Sequence, residues 1–155
     1  MEIPLGSVVT AIAALVGVFI ASQLHYRRST RERLWDLRRQ AYGVILARLA
    51  RVERICANID DIVAMHGGDV YWESDSSTKH SEQIREHMAV MTDRFSDDYL
   101  IISKEFVRIF EEFQSELNSG DPNVAADEEE NRFGDTIRKY RPLLLAQAVS
   151  ETKSH

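Results

Sequence analysis

The sequence has few of the residues that cross-link a chain or interrupt a helix. Cys56 is the one cysteine, so the chain can form neither an internal disulfide nor a metal cluster held by several thiolates. Its three prolines are Pro4, Pro122 and Pro142, which leaves a long proline-free stretch between the first two. Val, Thr and Tyr do not alternate with polar residues, as they would in a half-buried strand. These absences favour an all-α fold.

Charge is nearly absent from the first 24 residues, which contain Glu2 and no other ionised side chain. Residues 25–39 then contain six arginines and two acids, a net charge of +4. Since the whole chain has a net charge of −6, residues 40–155 carry −9. Such an acidic body disfavours binding to a nucleic-acid polymer, which requires a broad basic surface.

The uncharged run from Ile3 to Leu24 has the length and composition of a membrane-spanning helix. As a helix it would be about 33 Å long, close to the hydrocarbon thickness of about 30 Å. A cleaved signal peptide would have basic residues before the run, and a buried helix would not need this length. We therefore predict a single transmembrane helix as an anchor over residues 1–25.

Basic residues follow the apolar run and do not precede it. Residues 26–40 are predicted to form a basic juxtamembrane helix. The positive-inside rule then places the N-terminus outside and the following domain in the cytoplasm, at an inner or plasma membrane. Aromatic and arginine side chains at this boundary are expected to contact anionic lipid headgroups of the bilayer. The predicted interface residues are Tyr26, Arg27, Arg28, Arg31, Arg33 and Trp35.

Small residues recur every four positions in the apolar run, at Ala13, Gly17 and Ala21. Residues at this spacing lie on one face of a helix, where they allow two backbones to approach closely in lipid. They are the predicted packing residues of a homo-oligomer. The alternative is that they reflect the ordinary composition of membrane helices.

Residues 41–151 are predicted to form a cytoplasmic antiparallel bundle of about four helices, with a short tail at 152–155. Apolar residues recur every three or four positions from Leu34 to Val63, and the lack of proline allows one continuous helix from near Leu5 to His66. Gly67 and Gly68 should end it. The single cysteine, Cys56, belongs to this apolar stripe and is expected to be buried.

Three further helices are expected. The second covers about 82–94. The third begins near Ser96 and ends near Asn118, and the fourth opens with the acids at 127–130 and should break or kink at Pro142. The third has the most apolar face, which is expected to be core. Its members are Leu100, Ile102, Phe106, Ile109, Phe110, Phe113 and Leu117.

Residues 69–81 are polar and rich in turn-forming residues, so they are predicted to form a long loop. Tyr71 and Trp72 lie within it and are the candidate residues for binding a ligand or a partner. Arg85 or Arg94 could supply positive charge for such a ligand. Local packing of the two rings is the alternative.

Sequence patterns for catalysis are lacking, including phosphate-binding glycine loops, the nucleophile elbow, zinc-protease motifs and EF-hands. His80 and His87 are seven residues apart, about 10.5 Å along a helix axis, which is too far for two ligands of one ion. We therefore predict no enzymatic activity, no cofactor and no metal site.

Together these features predict a membrane-tethered helical interaction or regulatory module without catalytic activity, which forms a homo-oligomer and binds a protein partner. The alternative is a membrane effector whose cytoplasmic domain senses a small ligand such as a nucleotide. In layout the chain resembles small bacterial single-pass proteins, some of which act as membrane effectors in antiphage defence. This resemblance implies no role for any individual residue.

Overall fold

The computed structural model describes the backbone of residues 5–119 and 126–153, and the side chains of 17–119, except residue 69, and of 131–153. Over these ranges the chain consists of helices joined by turns, which confirms the prediction of an all-α fold. The helices are α1 (Leu5–His66), α2 (Gly68–Trp72), α3 (Asp75–Asp97), α4 (Lys104–Asn118) and α5 (Ala126–Lys153).

The chain divides into two compact units, Met1–Leu37 and Arg38–His155, and α1 contributes residues to both. The first unit contains the predicted transmembrane anchor. Among the residues that the structure describes, no helix has the length and hydrophobicity needed to cross a bilayer. The predicted transmembrane helix is therefore not supported by the described residues. Much of that prediction, residues 1–4 and the side chains of 5–16, lies outside them.

The second unit is a helical bundle, as predicted, in which α1 from Arg38 onward packs with α3, α4 and α5. Where two long helices are neighbours, residues further along one helix contact residues further back along the other. The neighbours therefore run antiparallel. The short helix α2 connects α1 to α3. The contacts that define these directions are Arg48–His87 and Asn58–His80 between α1 and α3, Phe113–Tyr140 and Glu116–Lys139 between α4 and α5, and Glu53–Arg141 and Asp60–Arg138 between α1 and α5. Helix α4 contacts α3 through Phe95–Phe110.

Three phenylalanines of α4 form the centre of the core. Phe106, Phe110 and Phe113 are fully buried, which confirms this part of the predicted apolar face. The ring of Phe110 stacks on Phe95 of α3 with centroids 4.1 Å apart, and Phe106 stacks on Tyr42 of α1 at 4.4 Å. Stacked pairs add about 0.5–1.5 kcal/mol to the free energy of burial. The stripe on α4 therefore joins α4 to both α1 and α3.

Helix α1 buries one stripe from Ala41 onward, and the cysteine lies within it as predicted, with Cys56 only 3% exposed. Leu34 and Leu37 belong to the same periodic pattern but are exposed, so the buried part of the stripe begins at Ala41. The end of the helix agrees with the prediction. Gly67 has a positive φ of 86°, and its N–H donates to the carbonyl of Val63 at 2.9 Å, as expected for a glycine that ends a helix.

The predicted start of α4 near Ser96 is wrong. The N–H of Asp98 still bonds the carbonyl of Arg94, so this segment completes α3. The hydroxyl of Ser103 accepts from the N–H of Phe106 and begins α4 instead. Leu100 therefore lies in the turn between the helices, 94% exposed, and is not part of the core.

The predicted loop at 69–81 is also wrong, because α2 and the first turns of α3 occupy most of it. The side chain of Ser74 accepts from the N–H of Ser77, which caps α3, and Asp75 lies in its first turn, where the helix dipole favours a negative charge. The polar composition of this segment reflects a solvent-facing helix start.

Pro142 does not end α5, which continues from Ala126 to Lys153, so the predicted break is wrong. Proline removes one backbone hydrogen bond from a helix. The residues on either side, Tyr140 and Leu144, are both buried in the bundle, and their packing keeps the chain helical across an exposed proline.

Candidate functional site

A polar cluster around the carboxylate of Glu151 joins α5 to α1 and to the start of α4. The Tyr42 hydroxyl donates to Glu151 Oε2 at 2.6 Å, and the Ser103 hydroxyl donates to Oε1. Gln147 Nε2 also donates to Oε1, at 2.6 Å. The Ser103 N–H donates to the Tyr42 hydroxyl at 3.1 Å. The hydrogen bonds of Tyr42 and Ser103 therefore connect helices, whereas that of Gln147 lies within α5, and the cluster has a structural role.

The ionisation of Tyr42 fits this structural role. Burial, and next the hydrogen bond to the Glu151 carboxylate, raise the pKa of the Tyr42 phenol above its usual value. The phenol therefore remains a proton donor to Glu151 and is poorly suited to act as a base. Arg38 Nε donates to the carbonyl of Ile101 at 2.5 Å and holds the same end of the bundle.

A second cluster lies at the C-terminal end of α4. Arg132 donates to the carbonyls of Glu116 and Leu117 at 2.9 and 3.3 Å, in the last turn of α4, where the carbonyls lack regular helical partners. The Glu116 carboxylate accepts from Lys139 Nζ at 2.6 Å and from the Tyr140 hydroxyl at 2.9 Å. These two hydrogen bonds, that of Lys139 first, lower the pKa of Glu116 below its usual value. This cluster stabilises the α4–α5 contact.

A groove lined by three arginines runs between α1 and α5. Arg141 Nη1 donates to Glu53 at 2.5 Å, and Arg138 pairs with Asp60 of α1 and Asp135 of its own helix. The groove has a volume of about 410 Å³. The residues that line it are Ala50, Glu53, Arg54, Ala57, Arg138 and Arg141.

Sequence reasoning missed this groove, although a signal for it exists. Glu53 and Asp60 are seven residues apart on α1, and Arg138 and Arg141 are three apart on α5, so each pair lies near one face of its helix. The spacing is visible in the sequence, but which arginine pairs with which acid depends on how α5 packs against α1.

The structure does not place the predicted ligand residues in an open site. Tyr71 is 2% exposed, its hydroxyl lies 3.0 Å from His80 Nδ1, and its ring packs edge-on to Trp72 with centroids 4.9 Å apart. Arg94 lies near the other end of α3, where it pairs with Asp98. Trp72 is partly exposed, but none of these contacts places an arginine beside its ring.

The two histidines considered as metal ligands contact different partners. His80 lies beside Tyr71 and Asn58, whereas Arg48 Nη1 lies 3.1 Å from His87 Nδ1. In the part of the chain that the structure describes, no three or more His, Cys, Asp or Glu side chains are grouped so that they could hold a metal ion.

The predicted interface residues are mostly exposed on α1. Tyr26 and the arginines at 27, 28, 31 and 33 all face solvent, and Trp35 is half-buried. Arg28 Nε pairs with Glu32 at 3.0 Å, one turn further along the helix. The geometry leaves these guanidinium groups accessible to an external anionic surface.

The predicted packing stripe is described in part. Gly17 and Ala21 are exposed, and a Cβ added at Gly17 would meet no atom within 4 Å. The side chain of Ala13 lies outside the described residues. The part of the stripe that is described is therefore open to another helix.

Comparison of the chain with protein-family models, with curated proteins and with solved structures gives no match.

Proposed function

We propose that this protein is a non-catalytic helical interaction or regulatory module that the N-terminal part of α1 tethers to an inner or plasma membrane. The observation that carries this proposal is the order of exposed side chains along α1. Apolar side chains from Val18 to Leu24 are exposed, and exposed arginines at 27, 28, 31 and 33 follow them directly.

A lipid environment accounts for this order. Apolar surface that is exposed to water is unfavourable by about 25 cal/mol of free energy per Å², and this penalty is absent in the hydrocarbon of a bilayer. The uncharged run that ends at Leu24 is long enough to span a bilayer as a helix. The arginines that follow would then lie among anionic headgroups, where each contributes about 1 kcal/mol to binding. Their position favours a cytoplasmic location for the bundle.

The contacts of the bundle support a binding role over catalysis. Its described polar clusters connect helices, as Glu151 does for α1, α4 and α5, and they do not converge on an enclosed cavity. A tether raises the local concentration of a binding surface, so a weak interaction becomes effective. The open face at Gly17 and Ala21 supports a homo-oligomer in the membrane, and the exposed helical surface supports a protein partner.

The test is a topology measurement on the whole chain. A reporter that is active only in the cytoplasm, fused after His155, should be active, and deletion of residues 1–24 should release the protein from the membrane fraction. Replacing Arg27, Arg28, Arg31 and Arg33 with Gln should weaken the orientation preference, whereas replacing Arg85, on α3, should not. Two results would contradict the proposal. One is activity of a periplasm-specific reporter fused after His155, and the other is retention of the protein in the membrane fraction after residues 1–24 are deleted.

A second candidate is a membrane effector that senses a small ligand such as a nucleotide, as in antiphage defence. One observation favours it, the arginine-lined groove between α1 and α5. Binding of a soluble ligand to the bundle distinguishes the two candidates, since only the ligand-sensing effector requires it.

A further inference from the structure

The groove between α1 and α5 combines open volume with three arginine side chains, of which Arg54 has no described partner. Its lining includes three arginines and one acid, Glu53, in a domain whose overall charge is negative. Ala50 and Ala57 supply short side chains on the α1 wall, so the space between the arginines is not filled. A volume of about 410 Å³ lies within the range of pockets that bind small ligands.

The arginines of the groove retain unused hydrogen-bond donors. Arg54 is exposed and has no hydrogen bond or ion pair with a described residue. The ion pair with Glu53 uses one terminal nitrogen of Arg141, and the pairs of Arg138 use its two terminal nitrogens. Each guanidinium has five N–H donors. The ion pairs therefore hold Arg138 and Arg141 in place without exhausting their capacity to bind an anion.

We propose that this groove binds a small, phosphate-bearing anion. Guanidinium groups match phosphate oxygens in geometry and form strong charge-assisted hydrogen bonds with them. Glu53, Asp60 and Asp135 balance the charge of the three arginines. The anion is therefore bound by the guanidinium of Arg54 and by the remaining N–H donors of Arg138 and Arg141. The acidic body around the groove repels an extended polyanion, so charge selects for a small ligand. This inference does not depend on the membrane tether.

Titration calorimetry of the full-length protein in phosphatidylcholine nanodiscs, with inorganic pyrophosphate as the probe, tests the proposal. Saturable binding is expected, and Arg54→Gln should weaken it by about tenfold, because a charged hydrogen bond to the anion is lost. Arg85→Gln makes the same chemical change on α3 and should alter the affinity less than about twofold. Arg28→Gln checks for binding at the basic stretch and should likewise have little effect.

A second pair of variants tests the shape of the groove without changing its charge. Ala57→Leu places a larger side chain on the wall and should also weaken binding about tenfold, whereas Ala47→Leu, on an exposed part of α1 outside the groove, should not. Circular dichroism of each variant confirms that the helices are intact. Phosphatidic acid added to the nanodiscs identifies the source of the phosphate. Unchanged pyrophosphate affinity indicates a free anion, and competition indicates a lipid headgroup.

Three results would overturn the proposal. The first is the absence of saturable pyrophosphate binding to the wild-type protein. The second is an equal loss of affinity in Arg54→Gln and Arg85→Gln, which would place the anion elsewhere. The third is binding of a hexaglutamate peptide but not of pyrophosphate, which would make the groove a docking site for an acidic protein segment. If the topology test failed, the same measurements would be made on the full-length protein without nanodiscs, and the same results would be expected of the groove.

Discussion

Leu24 and Leu49 lie on the same helix, yet the side chain of Leu24 is 63% exposed and that of Leu49 is fully buried. Leu24 belongs to the unit Met1–Leu37, whose described apolar residues face outward except for the half-buried Trp35. Leu49 belongs to the unit Arg38–His155, where aliphatic and aromatic residues of four helices enclose it. The same residue type therefore serves two purposes. In the second unit apolar residues stabilise the fold, and in the first they are available to an environment outside the chain.

The largest expected effect comes from the core of the second unit. Phe110→Ala should lower the free energy of unfolding by about 3–5 kcal/mol, because it removes a buried ring and leaves a cavity beside Phe95 and Phe113. Leu100→Ala is the matched control, since its side chain is almost wholly exposed, and it should change stability by less than about 0.5 kcal/mol. Urea denaturation measures both. Equal and small effects would mean that the stripe on α4 is not the core.

A smaller loss is expected where polar groups connect helices. Tyr42→Phe removes the hydroxyl that donates to Glu151 and accepts from Ser103, and should cost about 1–3 kcal/mol. Tyr26→Phe makes the same change in the first unit, where the ring is exposed, and should cost less than about 0.5 kcal/mol. If the two variants unfold at the same urea concentration, the cluster around Glu151 contributes nothing to stability.

Acid sensitivity should be localised in the second unit. Hydrogen bonds from Lys139 and then Tyr140 lower the pKa of Glu116 below its ordinary value of 4.5. The unfolded state therefore binds this proton more readily, so the stabilising contribution is present above pH 4.5 and is lost as the pH falls through the folded-state pKa. Glu116→Gln should flatten the fall in melting temperature between pH 5 and about pH 3. Glu73→Gln, on the α2–α3 turn, should keep the wild-type profile.

The smallest effect on unfolding is expected in the first unit, where association is affected instead. Gly17→Leu should leave the stability of the bundle unchanged but weaken self-association in a membrane assay, because a larger side chain separates two closely packed backbones. Val18→Leu preserves an exposed apolar side chain at the next position and should have little effect. If the wild type and both variants associate equally, the small residues do not form a packing face and only reflect the usual composition of membrane helices.

Local patterns in the sequence were sufficient for the helices whose signals are periodic or positional. The glycine at 67 ended α1 as expected, and the spacing of Phe106, Phe110 and Phe113 identified the core face of α4. The same periodicity wrongly included Leu100, because apolar spacing continues through a turn that only the capping hydroxyl of Ser103 reveals. The break predicted at Pro142 was wrong because packing of the neighbouring residues in the bundle outweighed the local effect of proline on the helix.

Long-range polar contacts could not be predicted in the same way. Tyr42 and Glu151 are 109 residues apart, and Ser103 and Glu151 are 48 apart, so no short window of sequence contains either pair. The burial of Tyr71 was missed because its polar neighbours resemble those of a loop. The groove arginines are an intermediate case, since their spacing was visible but their partners on α1 required the antiparallel arrangement of α1 and α5.

The exposed turn between α3 and α4 has a practical consequence for dissecting the molecule. Leu100 and its neighbour Tyr99 present the side chains that chymotrypsin prefers, in an exposed turn between two helices. Cleavage there would separate α1–α3 from α4–α5 while leaving Phe95 and Phe110 stacked across the nick. The two fragments could also be expressed as separate chains, each fused to half of a split reporter. Reporter activity would then measure assembly of the bundle in living cells.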